Sequence, residues 1–150
     1  MGPSGRNQSE AQKVNEVIYK ATGFGNTFMV VTDQGNVIID TSMAATAPQH
    51  KKLLTAVDDG PIHSVIITHG HGDHTGGVQL WRETDTKVIA QENMVEFLHY
   101  QNRLKGIFQR RNAAQFGFEL GAEQKPVTKL ENFGADILPN TLFEKARIQS

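Results

Sequence analysis

A chain of 150 residues is long enough for about one domain with a buried core, and its formal charge of −1 gives no general attraction to nucleic acid or acidic membranes. No apolar stretch reaches the length of a membrane span and no signal-peptide core opens the chain, so a cytoplasmic location is the default expectation. Cysteine is absent, which excludes disulfides, thiolate nucleophiles and sulfur-ligated zinc and leaves nitrogen and oxygen to hold any metal.

Residues 1–13 are expected to form a flexible tail, polar and turn-forming through Met1-Gly2-Pro3-Ser4-Gly5, with the domain proper over residues 14–150. Val14 to Ala21 is the first predicted strand, and the Gly-rich turn Gly23-Phe24-Gly25-Asn26 leads to a second over Thr27 to Thr32. Asp33-Gln34-Gly35-Asn36 has hairpin-turn composition and opens a third strand, Val37 to Asp40. A helix fits about Pro48 to Val57, with Leu53, Leu54 and Val57 on one face and Asp58-Asp59-Gly60-Pro61 ending it. Ser64-Val65-Ile66-Ile67-Thr68 is a short β-branched run that suits a strand covered on both faces.

A second helix is expected near Gly77, covering Val78, Leu80 and Trp81, followed by a strand over Lys87 to Ala90. Alternation of strand and helix across residues 37–90 gives the chain its α/β class. From Glu92 to about Phe116 the pattern becomes helical. Met94, Phe97, Leu98, Leu104, Ile107 and Phe108 recur at spacings that suit one face of a long helix, with Gly106 as a soft spot. The remainder is turn-rich and polar to Asn140, and Thr141 to Gln149 has the composition of a final strand.

The chemistry is concentrated in His69-Gly70-His71-Gly72-Asp73-His74, directly after a predicted strand. His69 and His71 are two apart, so on an extended strand end they point the same way and reach one ion together. Asp73 and His74 follow a glycine, where the backbone can bend and bring both side chains to a second ion. Imidazole nitrogen and carboxylate oxygen are zinc ligands, and two ions held a few ångströms apart would ionise a bridging water. The alternative is a polar loop whose histidines only hydrogen-bond; four ligand-type residues at this spacing disfavour it.

Thr68-His69-Gly70-His71-Gly72-Asp73-His74-Thr75-Gly76-Gly77 resembles the His-x-His-x-Asp-His signature of the metallo-β-lactamase superfamily. Asn36-Val37-Ile38-Ile39-Asp40-Thr41 is similar to that superfamily's earlier strand ending in an aspartate. The resemblance implies that His69 and His71 bind a first zinc and Asp73 with His74 a second, that Asp73 also orients the attacking hydroxide as the catalytic residue, and that Asp40 braces the metal loop without being a ligand. Ala90-Gln91-Glu92-Asn93 and the helical stretch ending Arg110-Arg111-Asn112-Ala113-Ala114-Gln115-Phe116-Gly117 look most like the alkyl and aryl sulfatase branch. A zinc-bound hydroxide acting on a small-molecule sulfate ester is the function this implies. The alternatives are an ester, lactone or thioester hydrolase of the same fold, or a non-catalytic metal-binding fragment.

The resemblance covers the first αβ half of an αββα sandwich, with a long helical insertion. A complete dinuclear site needs later ligands, yet the last histidine is His99; Glu119, Glu123, Glu131 and Glu144 match no pattern of such ligands. The expectation is therefore an N-terminal half, completed by a missing C-terminal half or by homo-oligomerisation that hides an apolar sheet face. His50 and His63 are expected to be surface or structural groups, Trp81 a core residue, and His99-Tyr100 packed or solvent-facing. Met94, Phe97 and Phe108 could line an alkyl-chain pocket, although helical spacing favours core packing. Arg103, Lys105, Arg110 and Arg111 have no acid between Glu96 and Glu119; a solvated face is the plainer reading, and anion binding by Arg110 or Arg111 the functional one.

Overall fold

The structure is a computed structural model that describes residues 8–116 and 143–145. Its strands are β1 (Gln12–Lys13), β2 (Ile18–Ala21), β3 (Thr27–Val30), β4 (Asn36–Ile39), β5 (Ile62–Ile67), β6 (Lys87–Ala90) and β7 (Phe143–Lys145). Its helices are α1 (Ala47–Thr55), α2 (Gly72–Thr75), α3 (Val78–Trp81), α4 (Met94–Arg103) and α5 (Lys105–Phe116). The strands form one sheet in the order β1-β2-β3-β4-β5-β6-β7. Pairing is antiparallel as far as β4 and parallel from β4 to β7. Parallel neighbours require crossovers, which α1 supplies between β4 and β5 and α2 with α3 between β5 and β6.

Register separates the sheet into two faces. Met29, Ile38, Val65 and Val88 lie in line on one. Met29, Ile38 and Val65 are fully buried there, in one core with Leu53 and Leu54 of α1 and Val78 and Trp81 of α3. Each such aliphatic side chain stabilises the fold by roughly 2 kcal/mol. Phe28, Ile39, Ile66 and Ile89 are in line on the opposite face and are only half-buried. Among the described residues the helices cover the Val65 face of β5, while on its other face Ser64 is buried and Ile66 half-buried.

Local chemistry moves several boundaries. The first strand is shortened because the Asn15 side chain accepts the N–H groups of Val17 and Ile18 at 3.0 and 2.8 Å, turning the chain between β1 and β2. Part of the expected tail is paired: Gln12 and Lys13 form β1, and Gln8 accepts the Thr22 N–H at 2.7 Å while donating to Lys20 O. The expected single helix over 92–116 is two, α4 and α5, meeting at Leu104 with φ −101° and ψ 16°. Its apolar stripe divides accordingly, with Met94 and Leu98 buried but Ile107 56% exposed. Val57, expected on one face with Leu53 and Leu54, is exposed, and so is Leu80. Glu119, Glu123 and Glu131 lie outside the described residues; Glu144 is in β7, opposite Ile89. Among the described residues no helix is long and apolar enough to cross a membrane.

Candidate metal centre

β4 and β5 run parallel and end side by side, so Asp40 and Thr68 emerge at the same edge of the sheet. The Asp40 N–H extends the pairing to Ile66 O at 2.9 Å. Beyond it the chain turns sharply, with Asp40 and Ser42 both in the left-handed region at φ 55° and 62°. Left-handed backbone costs a non-glycine residue about 1 kcal/mol or more, and surrounding bonds hold it here. Thr41 is buried and donates to His74 O through both its N–H and its hydroxyl, each at 2.8 Å, and its hydroxyl oxygen accepts the Gly77 N–H at 3.1 Å. α2 is thereby seated directly on the end of β4. Gly77 permits this approach, since a Cβ there would stand 2.3 Å from Thr41 O.

Asp40 is the hub. Its carboxylate accepts the Thr68 N–H at 2.9 Å, the Thr68 hydroxyl at 2.8 Å and His74 Nδ1–H at 2.7 Å. A carboxylate only accepts, so His74 carries a proton on Nδ1, which leaves Nε2 as the nitrogen that can face an ion. That Nε2 stands 3.4 Å from Asp73 Oδ2. His69 Nε2 stands 3.1 Å from His71 Nδ1, and the His69 ring packs on His74 with centroids 3.9 Å apart. Burial and then the neighbouring His74 and His71 hold His69 below its ordinary pKa, which favours the neutral ring that a metal requires.

These donors suit a divalent ion in type and spacing. Two ligand atoms bound to one tetrahedral zinc lie about 3.3 Å apart, close to the separation in each pair. Each pair stops at two donors, and among the described residues no group of three or more His, Asp or Glu side chains is placed to hold one ion. A catalytic zinc takes three protein ligands, so neither pair is complete by itself.

The loop is packed from both sides. On the β2–β3 turn, Gly25 lies so close to Asp73 that a Cβ would come within 1.7 Å of its carbonyl oxygen. Across the loop, the Phe97 ring of α4 lies against Gly70 and 5.9 Å from the His71 ring. Neither Gly70 nor Gly72 takes a positive φ. What Gly70 supplies is room, because a Cβ would meet the Phe97 ring at 2.5 Å.

His69, His71, Asp73, His74 and Asp40 are thus brought together. Arg110 and Arg111 are on α5, with the Arg111 guanidinium 4.8 Å above the Phe108 ring of the same helix and Arg110 exposed. His63, His99 and Tyr100 are exposed, and Met94 and Trp81 are core residues. His50 is buried on α1, with Nδ1 3.0 Å from Thr27 Oγ1, and burial lowers its pKa. Thr68, Thr41 and Gly25 were not among the residues singled out from sequence. Thr68 and Thr41 adjoin the motif and Asp40, a proximity that could have marked them; nothing local marks Gly25.

Residues 21–145 match the metallo-β-lactamase superfamily, and the chain belongs to it. It is 29% identical over 107 residues to a linear primary-alkylsulfatase of Pseudomonas sp., covering 65% of this chain and 20% of that protein. It is 33% identical over 125 residues to an alkyl/aryl-sulfatase of Saccharomyces cerevisiae, covering 75% of this chain and 19% of that protein. A metal-dependent hydrolase of Rhizobium johnstonii is 31% identical over 81 residues, covering 53% of this chain and 34% of its own. Among solved structures, the stereoselective inverting sec-alkylsulfatase Pisa1 from Pseudomonas sp. superposes with a TM-score of 0.58 at 28% identity, covering 65% of this chain and 17% of that one. The chain spans about a fifth of the length of the two sulfatases it matches.

Proposed function

We propose that this chain supplies the metal-binding loop of a zinc-dependent hydrolase acting on sulfate esters. The observation that carries the proposal is the pairing of donors around Asp40: His69 Nε2 with His71 Nδ1 at 3.1 Å, and His74 Nε2 with Asp73 Oδ2 at 3.4 Å. His69 and His71 are the donors to one ion and Asp73 and His74 to a second, with Asp40 fixing the free nitrogen of His74. When bound, such ions supply Lewis acidity and lower the pKa of water toward neutrality. Asp73 accepts a hydrogen bond from the attacking water and orients it, and Arg110 or Arg111 steadies the anionic ester. The sulfate-ester assignment rests on the names of the two sulfatases and of Pisa1.

Because each pair has two donors, the remaining ligands come from outside the described residues or from a second copy of the chain. The apolar open face of the sheet, with Phe28, Ile39, Ile66 and Ile89, supports burial against such a partner. The same shortage supports a second reading, a non-catalytic metal-binding fragment. Metal content after gel filtration, with hydrolysis assays on alkyl sulfates and carboxylic esters, separates the two. The expected result is about two zinc ions per chain and sulfate-ester turnover that is lost in His71→Ala. Turnover of carboxylic esters alone would overturn the substrate assignment, and substoichiometric metal without turnover would favour the fragment.

A further inference from the structure

We infer that Thr68 is a positioning residue that sets the tautomer of His69, so that one carboxylate, Asp40, aims a nitrogen of each donor pair. The inference rests on the metal-centre reading above and adds to it a role for a side chain that is not a ligand. Thr68 Oγ1 lies 2.8 Å from Asp40 Oδ2, 3.0 Å from Asp40 Oδ1 and 3.1 Å from His69 Nδ1. A hydroxyl has one proton, and an ionised carboxylate has none to give. The Thr68 proton therefore points to Asp40, and the Thr68 oxygen faces His69 with lone pairs only. His69 Nδ1 must donate to it. That leaves Nε2 of His69 unprotonated and turned toward His71.

The consequence reaches the next residue. With His69 Nε2 an acceptor, the 3.1 Å contact to His71 Nδ1 requires the proton to sit on His71. An ion held by both nitrogens would stand in place of that proton, and His71 would then carry its proton on Nε2. The two pairs are addressed by different routes: His74 binds Asp40 directly, and His69 binds it through one intervening hydroxyl. Free imidazole prefers its proton on Nε2, and Thr68 is the described partner that holds His69 in the tautomer with Nε2 open toward His71.

Long-range proton–nitrogen correlation on the 15N-histidine-labelled, metal-free chain at pH 8 tests this directly. His69 protonated on Nδ1 in the wild type is the expected result; His69 protonated on Nε2 would overturn the inference, with no variant needed. Thr68→Val keeps β-branching but removes the hydroxyl, and is expected to shift His69 toward the Nε2–H form and weaken cobalt(II) binding about tenfold. Thr68→Ser should restore both the tautomer and the cobalt d–d spectrum. An unchanged tautomer in Thr68→Val, or no recovery in Thr68→Ser, counts against the role assigned to the hydroxyl. Failure of the underlying metal centre looks different: wild type and His71→Ala would then take up cobalt equally, while the tautomer measurement would still decide the role of Thr68.

Discussion

The two faces of the sheet carry nearly the same side chains and have opposite surroundings. Ile38 and Val65 are completely buried beneath α1 and α3, whereas Ile39 and Ile66, one residue further along the same strands, are only half-buried. A strand with one wet face ordinarily alternates apolar with polar residues, whereas parallel strands such as β4 and β5 tend to be apolar on both faces. Here the alternation is missing, and burial is decided by which face the crossover helices occupy. Apolar character therefore marks both faces alike, and the described helices cover one of them.

Paired substitutions test the contrast most strongly. Ile38→Ala should cost about 3 kcal/mol in urea unfolding and Ile39→Ala about 1 kcal/mol, since the loss follows the burial of the deleted atoms. Equal losses would break the comparison and show that the open face is covered in solution. Gly25→Ala probes the packing around the loop: its methyl must displace Asp73, at an expected cost of about 2 kcal/mol, together with weaker binding at the Asp73–His74 pair in a cobalt titration. Unchanged binding would mean that the β2–β3 turn yields instead of the loop.

His50, on the covered side, gives a smaller and pH-dependent effect. Burial lowers its folded pKa, so below about pH 6.5 the unfolded chain binds the extra proton. Its contribution is intact above that pH and is lost as pH falls toward the folded value, with a slope of at most about 1.4 kcal/mol per pH unit. His69 shifts in the same direction, so His50→Leu should reduce the slope measured between pH 7.5 and 5.5 without abolishing it; an unaltered slope would remove His50 from the account. The smallest effect is expected for Ile66→Thr, whose unfolding free energy should change by about 1 kcal/mol or less. If copies of the chain pair through the open face, this variant should dissociate them in sedimentation velocity; the same sedimentation coefficient as wild type at every concentration would exclude that pairing.

Sequence shows most clearly what a short window contains. The run from His69 to His74 and the Asp40 strand end were both legible because ligand type and spacing are local properties. The partners that fix the ligands were not, because Thr68 is an unremarkable strand-end residue until Asp40, 28 positions earlier, is brought beside it. Gly25 was hidden for the same reason, since its neighbour Asp73 is distant in the chain. The helical pattern after Glu92 was visible, but the break at Leu104 was not. Gly106 drew attention as a weak helix former, and yet the space where its Cβ would lie is open and the kink falls two residues earlier. Faces were the hardest to assign, because Val65 and Ile66 differ in surroundings and hardly in chemistry.

The hydrogen bonds that tie the donor loop to Asp40 and Thr41 join residues 28, 33 and 34 positions apart, and all three close before α3 begins. The intervening chain is one helix and one strand, so little slack is tied up in bringing the ends together, and the entropic toll of closure rises only by about 0.6 kcal/mol per doubling of length. Every one of those bonds has both its members within a single contiguous stretch ending at Gly77. Such a stretch is a cassette: insertions or rearrangements downstream can change what surrounds the histidines while leaving intact the frame that aims them.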